Sequence, residues 1–194
     1  MNRAADVALA GIGLALTSPL LAAAALAIKL EDGGPILFRQ ARVGKDGVDF
    51  DVLKLRTMVI GAERQGAGYA VDRGDARITR VGRILRRTSI DELPQLWNVV
   101  RGDMSVIGPR PTLRYQVLRY SERQRRRLEV RPGLTGWAQI HGRATLPWAD
   151  RIELDVWYVE HRSPRVDLTI LLRTPLALFG GTYRGSTGGW RAEE

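Results

Sequence analysis

Residues 7–28 read VALAGIGLALTSPLLAAAALAI, an uncharged stretch bounded by Asp6 and Lys29. As a straight helix it would extend about 33 Å, close to the thickness of the hydrocarbon core of a bilayer. The stretch therefore predicts a membrane segment near the N-terminus. A cleaved signal peptide is the alternative, but the residues before the stretch carry only Arg3, balanced by Asp6, and the apolar run is longer than a signal peptide needs.

Ser18 and Pro19 lie in the middle of this stretch. Proline removes a backbone donor and crowds the preceding turn, so a kink of tens of degrees is predicted there. The residues leave two arrangements open: a single-pass helix that tolerates the proline, and a re-entrant helix that is broken at Ser18-Pro19 and returns to the cytoplasmic face. We favour the second, because the cationic remainder should stay cytoplasmic and the N-terminus has almost no charge to fix its side. The predicted division is 1–30 for this membrane helix and 31–194 for a cytoplasmic domain.

The chain as a whole is strongly basic. Its 194 residues include 30 Lys and Arg against 21 Asp and Glu, a formal net charge of +9. A polyanionic partner is therefore expected: nucleic acid, a nucleotide substrate or the anionic face of a membrane. The sequence has no cysteine and only two histidines, which excludes disulfides, thiolate nucleophiles and Cys/His zinc sites. Any nucleophile must then be a carboxylate, a hydroxyl or an amine.

Short β-like runs at residues 35–38 and 50–55 flank the turn sequence Gly44-Lys45-Asp46-Gly47 and predict a hairpin. Residues 61–74 hold four glycines and predict an exposed loop. The predicted fold class is α/β (α+β): a monotopic membrane protein with a compact cytoplasmic domain and a small antiparallel hairpin.

Helical periodicity continues beyond the loop. Arginine-rich helices are predicted at residues 77–87 and 112–130. An apolar segment at residues 166–179, broken by Pro175, is too short to span a bilayer, and we expect it to lie in the membrane interface or to pack on the core. These segments complete the prediction with interfacial amphipathic helices.

The densest group of unusual residues is RRTSIDELPQL, residues 86–96. Pro94 is best tolerated in a first helical turn, which predicts that Asp91 and Glu92 lie at a helix N-terminus, where negative charge is favoured. Either carboxylate could hold Mg²⁺ through its oxygens. The alternative without chemistry is a capping box, in which Glu92 only reaches back to the amide of Ser89.

Arginines accompany this acidic pair. Arg86, Arg87 and Arg110 could clamp a diphosphate. Arg110 lies in the stretch GPRP, residues 108–111, where Pro109 and Pro111 fix φ on both sides of it and favour a guanidinium held in one place. A structural turn with a surface arginine is the alternative. Positive and negative groups together are what phosphoryl transfer requires.

At this point the chain resembles the bacterial sugar transferases, also called small monotopic phosphoglycosyl transferases. The resemblance covers nearly the whole chain, and its specificity comes from an ordered set of motifs, each of which is weak alone. The set comprises the helix with Ser18-Pro19, KLRTM (54–58), DxRIT (75–79), residues 86–95, Asn98, GDMS (102–105), GPRP (108–111), RPGLTGWAQ (131–139), Gly142-Arg143 and LDxWY (154–158).

The resemblance implies transfer of a sugar 1-phosphate from a UDP-sugar to polyprenyl (undecaprenyl) phosphate, with release of UMP. The reaction would occur on the cytoplasmic face of the bacterial inner membrane, as the first membrane step of glycoconjugate or exopolysaccharide biosynthesis. In this family the Asp of the Asp-Glu pair is the nucleophile, forms a covalent phosphosugar intermediate and is assisted by Mg²⁺. Carried over, Asp91 is the nucleophile and Glu92 is a metal-associated or acid/base partner.

The resemblance also suggests which residues line the cleft. Arg86 and Arg110, the latter followed by Pro111, would contact phosphate, and Gln139 and Arg143 would lie at the nucleotide or sugar side. Lys54 and Arg56 are expected to be further anion contacts, with surface salt bridges as the alternative. The chain resembles the minimal catalytic form of the family. Residues 61–74 match the family poorly, so the sugar cannot be deduced from them.

A membrane-anchored nucleic-acid- or lipid-binding protein without catalysis is the competing interpretation. The two predicted arginine-rich helices and a pI near 10.7 support it. The sequence has no recognisable groove-reading motif, so we expect no nucleic-acid partner. The short chain and its predicted interfacial surfaces leave room for a homodimer.

Overall fold

A computed structural model of the chain describes residues 2–65, 74–142 and 146–179. It is a mixed helix and sheet structure, as the sequence predicts. The helices are α1 (Arg3–Asp32), α2 (Arg80–Thr88), α3 (Gln95–Arg101), α4 (Arg114–Val117), α5 (Glu122–Arg125), α6 (Trp137–Ile140), α7 (Trp148–His161) and α8 (Pro164–Phe179). The strands are β1 (Leu37–Val43), β2 (Asp49–Leu55), β3 (Ser105–Ile107) and β4 (Gly133–Thr135), and 3-10 turns occur at Lys45–Gly47, Ala62–Arg64, Ile90–Glu92 and Arg126–Glu129.

The apolar N-terminal stretch forms α1. In the part of the chain that the structure describes, α1 is the one helix that is long and apolar enough to cross a membrane. The side chain of Asn2 caps its start by accepting a hydrogen bond from the N–H of Ala4, and Gly33 ends it in the left-handed conformation, with φ 69°. Local sequence signals therefore define both ends of the helix.

α1 is helical through Pro19, where the sequence predicts a kink or a break. Pro19 has no N–H to donate to the carbonyl of Ala15, but the hydroxyl of Ser18 donates to that carbonyl at 2.9 Å. The hydroxyl of Thr17 likewise donates to the carbonyl of Gly13 at 2.7 Å. Hydroxyl side chains next to a proline can satisfy the backbone group that it leaves unpaired, which is why the helix continues.

Polar side chains attach the N-terminal end of α1 to the domain. The buried carboxylate of Asp6 accepts hydrogen bonds from the hydroxyl of Ser105 and from the N–H of Val106, both at 2.8 Å. The guanidinium of Arg3 donates to two carbonyls in the last turn of α3, those of Val99 and Val100. The first turns of α1 are thus hydrogen-bonded to residues on both sides of the α3–β3 connection.

The C-terminal end of α1 is attached to the same domain. Asp32 forms a bidentate ion pair with Arg56, just after β2. The carboxylate of Glu31 accepts the N–H of Arg80 at 2.7 Å, at the first turn of α2. Between its two ends, α1 packs on the domain mainly through Ala10 in its first half and Ile28 in its second.

The predicted hairpin is confirmed. β1 and β2 are antiparallel, with Leu37 opposite Leu55 and Val43 opposite Asp49. The single helix predicted over residues 112–130 is wrong, because that segment forms α4, α5 and a 3-10 turn. The reason is a capping box: the N–H of Ser121 donates to the Gln124 side chain at 3.0 Å, and its hydroxyl accepts the Gln124 N–H, so a new helix begins there.

A second, parallel strand pair is formed by β3 and β4. It requires close approach of two backbones at Gly108 and Gly133. A Cβ atom built on Gly133 would lie 2.0 Å from the nitrogen of Gly108, and one on Gly136 would lie 2.2 Å from the Gly108 carbonyl oxygen. Glycine is therefore required at these positions. The pair fixes the start of the segment that carries Arg110.

The apolar segment near the C-terminus forms α8, which continues through Pro175 instead of breaking there. One face of α8 packs on the core through Ile170, which is fully buried. Leu168, Leu172 and Leu176, one turn apart, are exposed on the other side. The helix therefore packs on the core, which is one of the two predicted arrangements, and it also has an exposed apolar face.

Candidate active site

The acidic pair lies in a tight connection between two helices. α2 ends at Ser89, a non-glycine residue with φ 57°, and the following 3-10 turn carries Asp91 and Glu92 before Pro94 caps α3. The Ser89 side chain forms no capping hydrogen bond. The capping-box alternative is therefore wrong, because the Glu92 carboxylate points to other partners.

Those partners of Glu92 are two cations. Lys54 Nζ lies 2.8 Å from Glu92 Oε1, and the guanidinium of Arg110 donates to both carboxylate oxygens. Burial would raise the pKa of Glu92, but the charges of Arg110 and Lys54 outweigh burial and hold this pKa well below its usual range. A carboxyl group with such a pKa does not supply a proton near neutral pH. The contacts favour a role in positioning Lys54 and Arg110.

Asp91 has a different environment, although it is the next residue. It is 8% exposed, and among the described residues no group donates a hydrogen bond to its carboxylate. Burial, followed by the charge of Glu92, raises the pKa of Asp91 to about 6, against the opposing effect of Lys54, Arg86 and Arg110. The carboxylate is therefore more basic than an ordinary aspartate, unbonded, and surrounded by cations.

The predicted phosphate contacts Arg86 and Arg110 both lie around Asp91. Arg86 is held from behind, since its Nε donates to the hydroxyl of Thr57 at 2.7 Å. For this contact α2 must approach residue 57 closely. Gly82 permits the approach because it has no Cβ atom, and a Cβ at this position would lie only 2.0 Å from the Thr57 carbonyl oxygen. The guanidinium of Arg110 is half-exposed and held by Glu92.

Arg56, another sequence-predicted residue, does not contact this group. Arg56 is 7% exposed, and its guanidinium is occupied by Asp32 and by the carbonyl of Pro35. This arrangement corresponds to the salt-bridge alternative, in a buried form that joins α1 to the hairpin. Arg143 lies outside the described residues.

Pro111 and Gln139 are both buried, and Pro111 directly follows Arg110 in the chain. Pro111 is buried, and its carbonyl accepts a long hydrogen bond of 3.4 Å from Arg42. Gln139 is 7% exposed, and neither atom of its amide has a hydrogen-bond partner among the described residues. Its amide oxygen lies beside Gly136, which itself contacts the Gly108 carbonyl. Burying an amide without hydrogen-bond partners costs free energy, and both polar atoms of the Gln139 amide remain available for hydrogen bonds.

Sequence reasoning missed a buried ion pair behind the site. Arg127 and Asp155 are 4% and 3% exposed, and Arg127 donates to the carboxylate of Asp155, to the hydroxyl of Tyr120 and to the carbonyl of Arg110. A signal for Asp155 was available, since it lies between Ile152 and Val156 on the apolar face of α7. A charged residue at a core position indicates a buried partner.

The carboxylates near the site limit how Mg²⁺ could bind. The described residues hold no group of three or more His, Cys, Asp or Glu side chains suited to a metal ion. Mg²⁺ commonly uses one or two carboxylates together with substrate phosphates. Asp91 and Glu92 fit that second kind of site, in which a diphosphate completes the ligands.

The pKa of Asp91 predicts a pH dependence for any reaction in which its carboxylate attacks. The reactive form of Asp91 is deprotonated, and its pKa is raised to about 6. The value of kcat/KM should therefore be nearly constant above pH 7 and fall about tenfold per pH unit well below pH 6. A pH profile of kcat/KM measures this. A profile still level down to pH 4.5 would show that Asp91 ionises at its ordinary pKa or does not react.

Comparisons with known proteins find relatives along most of the chain. A family model described as bacterial sugar transferase matches residues 1–181. The uncharacterized sugar transferase EpsL of Bacillus subtilis is 44% identical over 90% of this chain and 85% of its own length. The UDP-glucose:undecaprenyl-phosphate glucose-1-phosphate transferase of Caulobacter vibrioides is 49% identical over 89% of this chain and 67% of its own length.

A third relative has a different sugar in its name. The UDP-N-acetylgalactosamine-undecaprenyl-phosphate N-acetylgalactosaminephosphotransferase of Aeromonas hydrophila is 43% identical over 93% of this chain, but the chain spans only 44% of that protein. Relatives of similar identity thus differ in their named sugar, and identity alone does not select one.

Proposed function

The chain belongs to the bacterial sugar transferase family, and on this premise we propose that it moves a sugar 1-phosphate from a UDP-sugar to undecaprenyl phosphate and releases UMP. The observation that carries the proposal is the Asp91 carboxylate, which is buried, unbonded and surrounded by Lys54, Arg86 and Arg110. This combination suits an oxygen nucleophile that attacks a negatively charged phosphorus centre.

Two displacements account for the transfer. In the first, a carboxylate oxygen of Asp91 forms a bond to the phosphorus that bears the sugar, and the bond from that phosphorus to the bridging oxygen breaks, so UMP leaves with the electron pair. In the second, a phosphate oxygen of the lipid attacks the same phosphorus and expels the carboxylate. Asp91 is restored, and the product is a polyprenyl diphosphate sugar. The covalent phosphosugar on Asp91 is the intermediate between the two steps.

The cations around Asp91 would lower the barrier of both steps. Arg110 and Lys54, fixed by Glu92, lie where negative charge increases as the carboxylate approaches the phosphate. Arg86, fixed by Thr57, supplies a third positive charge. Mg²⁺ bound with the diphosphate at Asp91 and Glu92 would neutralise further charge on the leaving UMP. Apart from that proposed metal contact, Glu92 acts through Lys54 and Arg110, which it positions.

We further propose that α1 enters the inner membrane from the cytoplasmic face without crossing it. Arg3 and Asp6 at one end, and Glu31 and Asp32 at the other, bind the same domain, which supports placing both ends on one side. Between these ends α1 exposes large apolar side chains to the outside. They are Val7, Leu9, Ile12, Leu16, Leu20, Leu26 and Leu30.

Labelling tests this arrangement, because the native chain has no cysteine. A cysteine introduced as Asn2→Cys should be inaccessible to a membrane-impermeant thiol reagent added to intact spheroplasts, and should react in inverted vesicles. Lys45→Cys, in the exposed turn of the hairpin, is the matched cytoplasmic control. Reaction of residue 2 from the periplasmic side, with residue 45 protected, would show that α1 crosses the membrane.

The reaction is tested by UMP release from purified protein in nanodiscs, with Mg²⁺ and a panel of UDP-sugars, each with and without undecaprenyl phosphate. We expect lipid-dependent UMP from one donor sugar, which identifies the substrate at the same time. Folded protein that binds the membrane but releases no UMP with any donor would favour the non-catalytic lipid-binding alternative.

A further inference from the structure

The backbone at Arg110 is held by a side chain and not by a neighbouring strand. Pro109 and Pro111, on either side of Arg110, have no N–H to donate. The carbonyl of Pro109 accepts the N–H of Gly133 at 2.8 Å. The carbonyl of Arg110 has one hydrogen-bond donor within the described residues, the guanidinium of Arg127, at 2.9 Å. The position of this peptide group therefore depends on Arg127.

Arg127 is itself fixed by two further acceptors. Its guanidinium donates to the carboxylate of Asp155 on α7 and to the hydroxyl of Tyr120. The side chains of Arg127 and Asp155 are almost completely buried. A guanidinium carries five N–H donors in a rigid plane, so it can bind several acceptors at once and is held in one orientation by them. Asp155 and Tyr120 thus determine where Arg127 holds the carbonyl of Arg110.

The same network also contacts the chain two residues after Arg110. The hydroxyl of Tyr120 donates to the hydroxyl of Thr112 at 3.2 Å, and the carbonyl of Thr112 accepts the N–H of Val43, at the end of β1, at 2.9 Å. The ring of Tyr120 packs with Val43 in a core cluster. The segment is therefore attached to the core at residues 110 and 112. We call the three side chains of this network the Arg110 brace: Tyr120, Arg127 and Asp155.

The other end of Arg110 reaches the active site. Its guanidinium binds the carboxylate of Glu92, the residue next to Asp91. In the part of the chain that the structure describes, no hydrogen bond or ion pair joins the brace to Asp91 or to Glu92. The contacts of the brace lead to the acidic pair through Arg110.

From these contacts we propose that the Arg110 brace positions Arg110 for phosphoryl transfer, by holding its carbonyl where the guanidinium reaches both Glu92 and the substrate phosphate. The three residues are positioning residues, since they act through Arg110. The inference rests on the proposed function and gives a role to side chains to which the sequence assigned none. Misplacement of a charged group by about 1 Å can cost about a hundredfold in rate, so a brace of this kind affects turnover.

The test uses two variants of the brace and one matched control. Arg127→Lys keeps the positive charge, but a single ammonium cannot hold the same acceptors in one plane. Tyr120→Phe removes only a hydroxyl and is the variant to use if the altered ion pair prevents folding. Tyr158→Phe is the control, because Tyr158 is also buried and its hydroxyl donates at 2.8 Å, but to Asp167 on α8.

Each variant is made in the wild-type protein and in Arg110→Ala. UMP release is followed in a single turnover with enzyme in excess, so that slow variants can be measured, and thermal unfolding in detergent checks the fold. A residue that acts only on the fold should lower the rate by the same factor in both backgrounds. A residue that acts through Arg110 should lower it only where Arg110 is present.

We expect Arg127→Lys to lower the rate about tenfold and Tyr120→Phe about threefold in the wild-type background. In Arg110→Ala each should lower it by less than about twofold, and Tyr158→Phe should stay within about twofold in both backgrounds. Equal losses in the two backgrounds, or folded brace variants with the wild-type rate, would overturn the inference. Wild-type protein that releases no UMP would contradict the proposed function, and the inference with it.

Discussion

Asp91→Asn should eliminate UMP release while the protein becomes more stable. The amide has nearly the shape of the carboxylate but is a very poor nucleophile, so the covalent step is lost, and we expect a decrease of at least about a thousandfold in kcat. The measurement is lipid-dependent UMP release at pH 7.5, with membrane binding as a check on the fold. Turnover within tenfold of the wild type would show that another group attacks.

The gain in stability should depend on pH. The Asp91 carboxyl has a pKa of about 6 in the folded protein and near 3.8 when unfolded, so the folded state binds more protons between these values and its stability falls as the pH rises through them. Removing the ionisable group should stabilise the protein by up to about 3 kcal/mol above pH 6.5 and by almost nothing near pH 4.

Glu92→Gln is the matched control for this experiment. It is the same kind of substitution at the next residue, but the pKa of Glu92 is lowered by Arg110 and Lys54 in spite of burial, so its ionised form stabilises the fold. Unfolding in urea at pH 7.5 should therefore show opposite signs for the two variants. Equal signs would mean that the two carboxylates do not differ in environment as the contacts indicate.

Gly133→Ala is expected to cause the second large loss, in both stability and turnover. The added methyl group would lie 2.0 Å from the nitrogen of Gly108 and 2.5 Å from the carbonyl oxygen of Thr135. Both neighbours are backbone atoms, so no side chain can rotate away and the parallel strands must separate. Overpacking of this kind costs about 1–3 kcal/mol or more, and it would displace the segment that carries Arg110.

The control for Gly133→Ala is Gly11→Ala. Gly11 lies inside α1, and a methyl group added there would have no neighbouring atom within 4 Å, so alanine should stabilise the helix slightly. Thermal unfolding in detergent and UMP release should be measured for both variants. A Gly133→Ala protein as stable and active as the wild type would show that β3 and β4 are not in such close contact.

Local signals were sufficient for some elements. The apolar run predicts α1, and the turn sequence between two β-like runs predicts the hairpin. The pairing of Asp91-Glu92 with nearby arginines identifies the centre of the candidate site, because Pro94 limits where a helix can begin. In each case the decisive residues are adjacent in the chain.

The parts that sequence reasoning missed depend on distant partners. β3 and β4 are three residues each and pair only because two glycines, Gly108 and Gly133, touch across a long stretch of chain. Arg56 was predicted at the site because its partner, Asp32, could not be recognised from spacing. The hydrogen bond from the Ser18 hydroxyl to the Ala15 carbonyl, beside Pro19, could likewise not be recognised from the sequence. These features depend on the burial and the pairing of single residues that are far apart or oriented in a way the sequence does not show.

The hydrogen bond between Asp6 and Ser105 has a consequence for biosynthesis. Its two residues are 99 positions apart, so Asp6 has left the ribosome well before its partner is made. At about 5–20 residues per second, this interval lasts about 5–20 seconds. Throughout that time the carboxylate lacks the hydroxyl that later donates to it. The N-terminal end of α1 therefore gains this attachment to the domain only after Ser105 has been made.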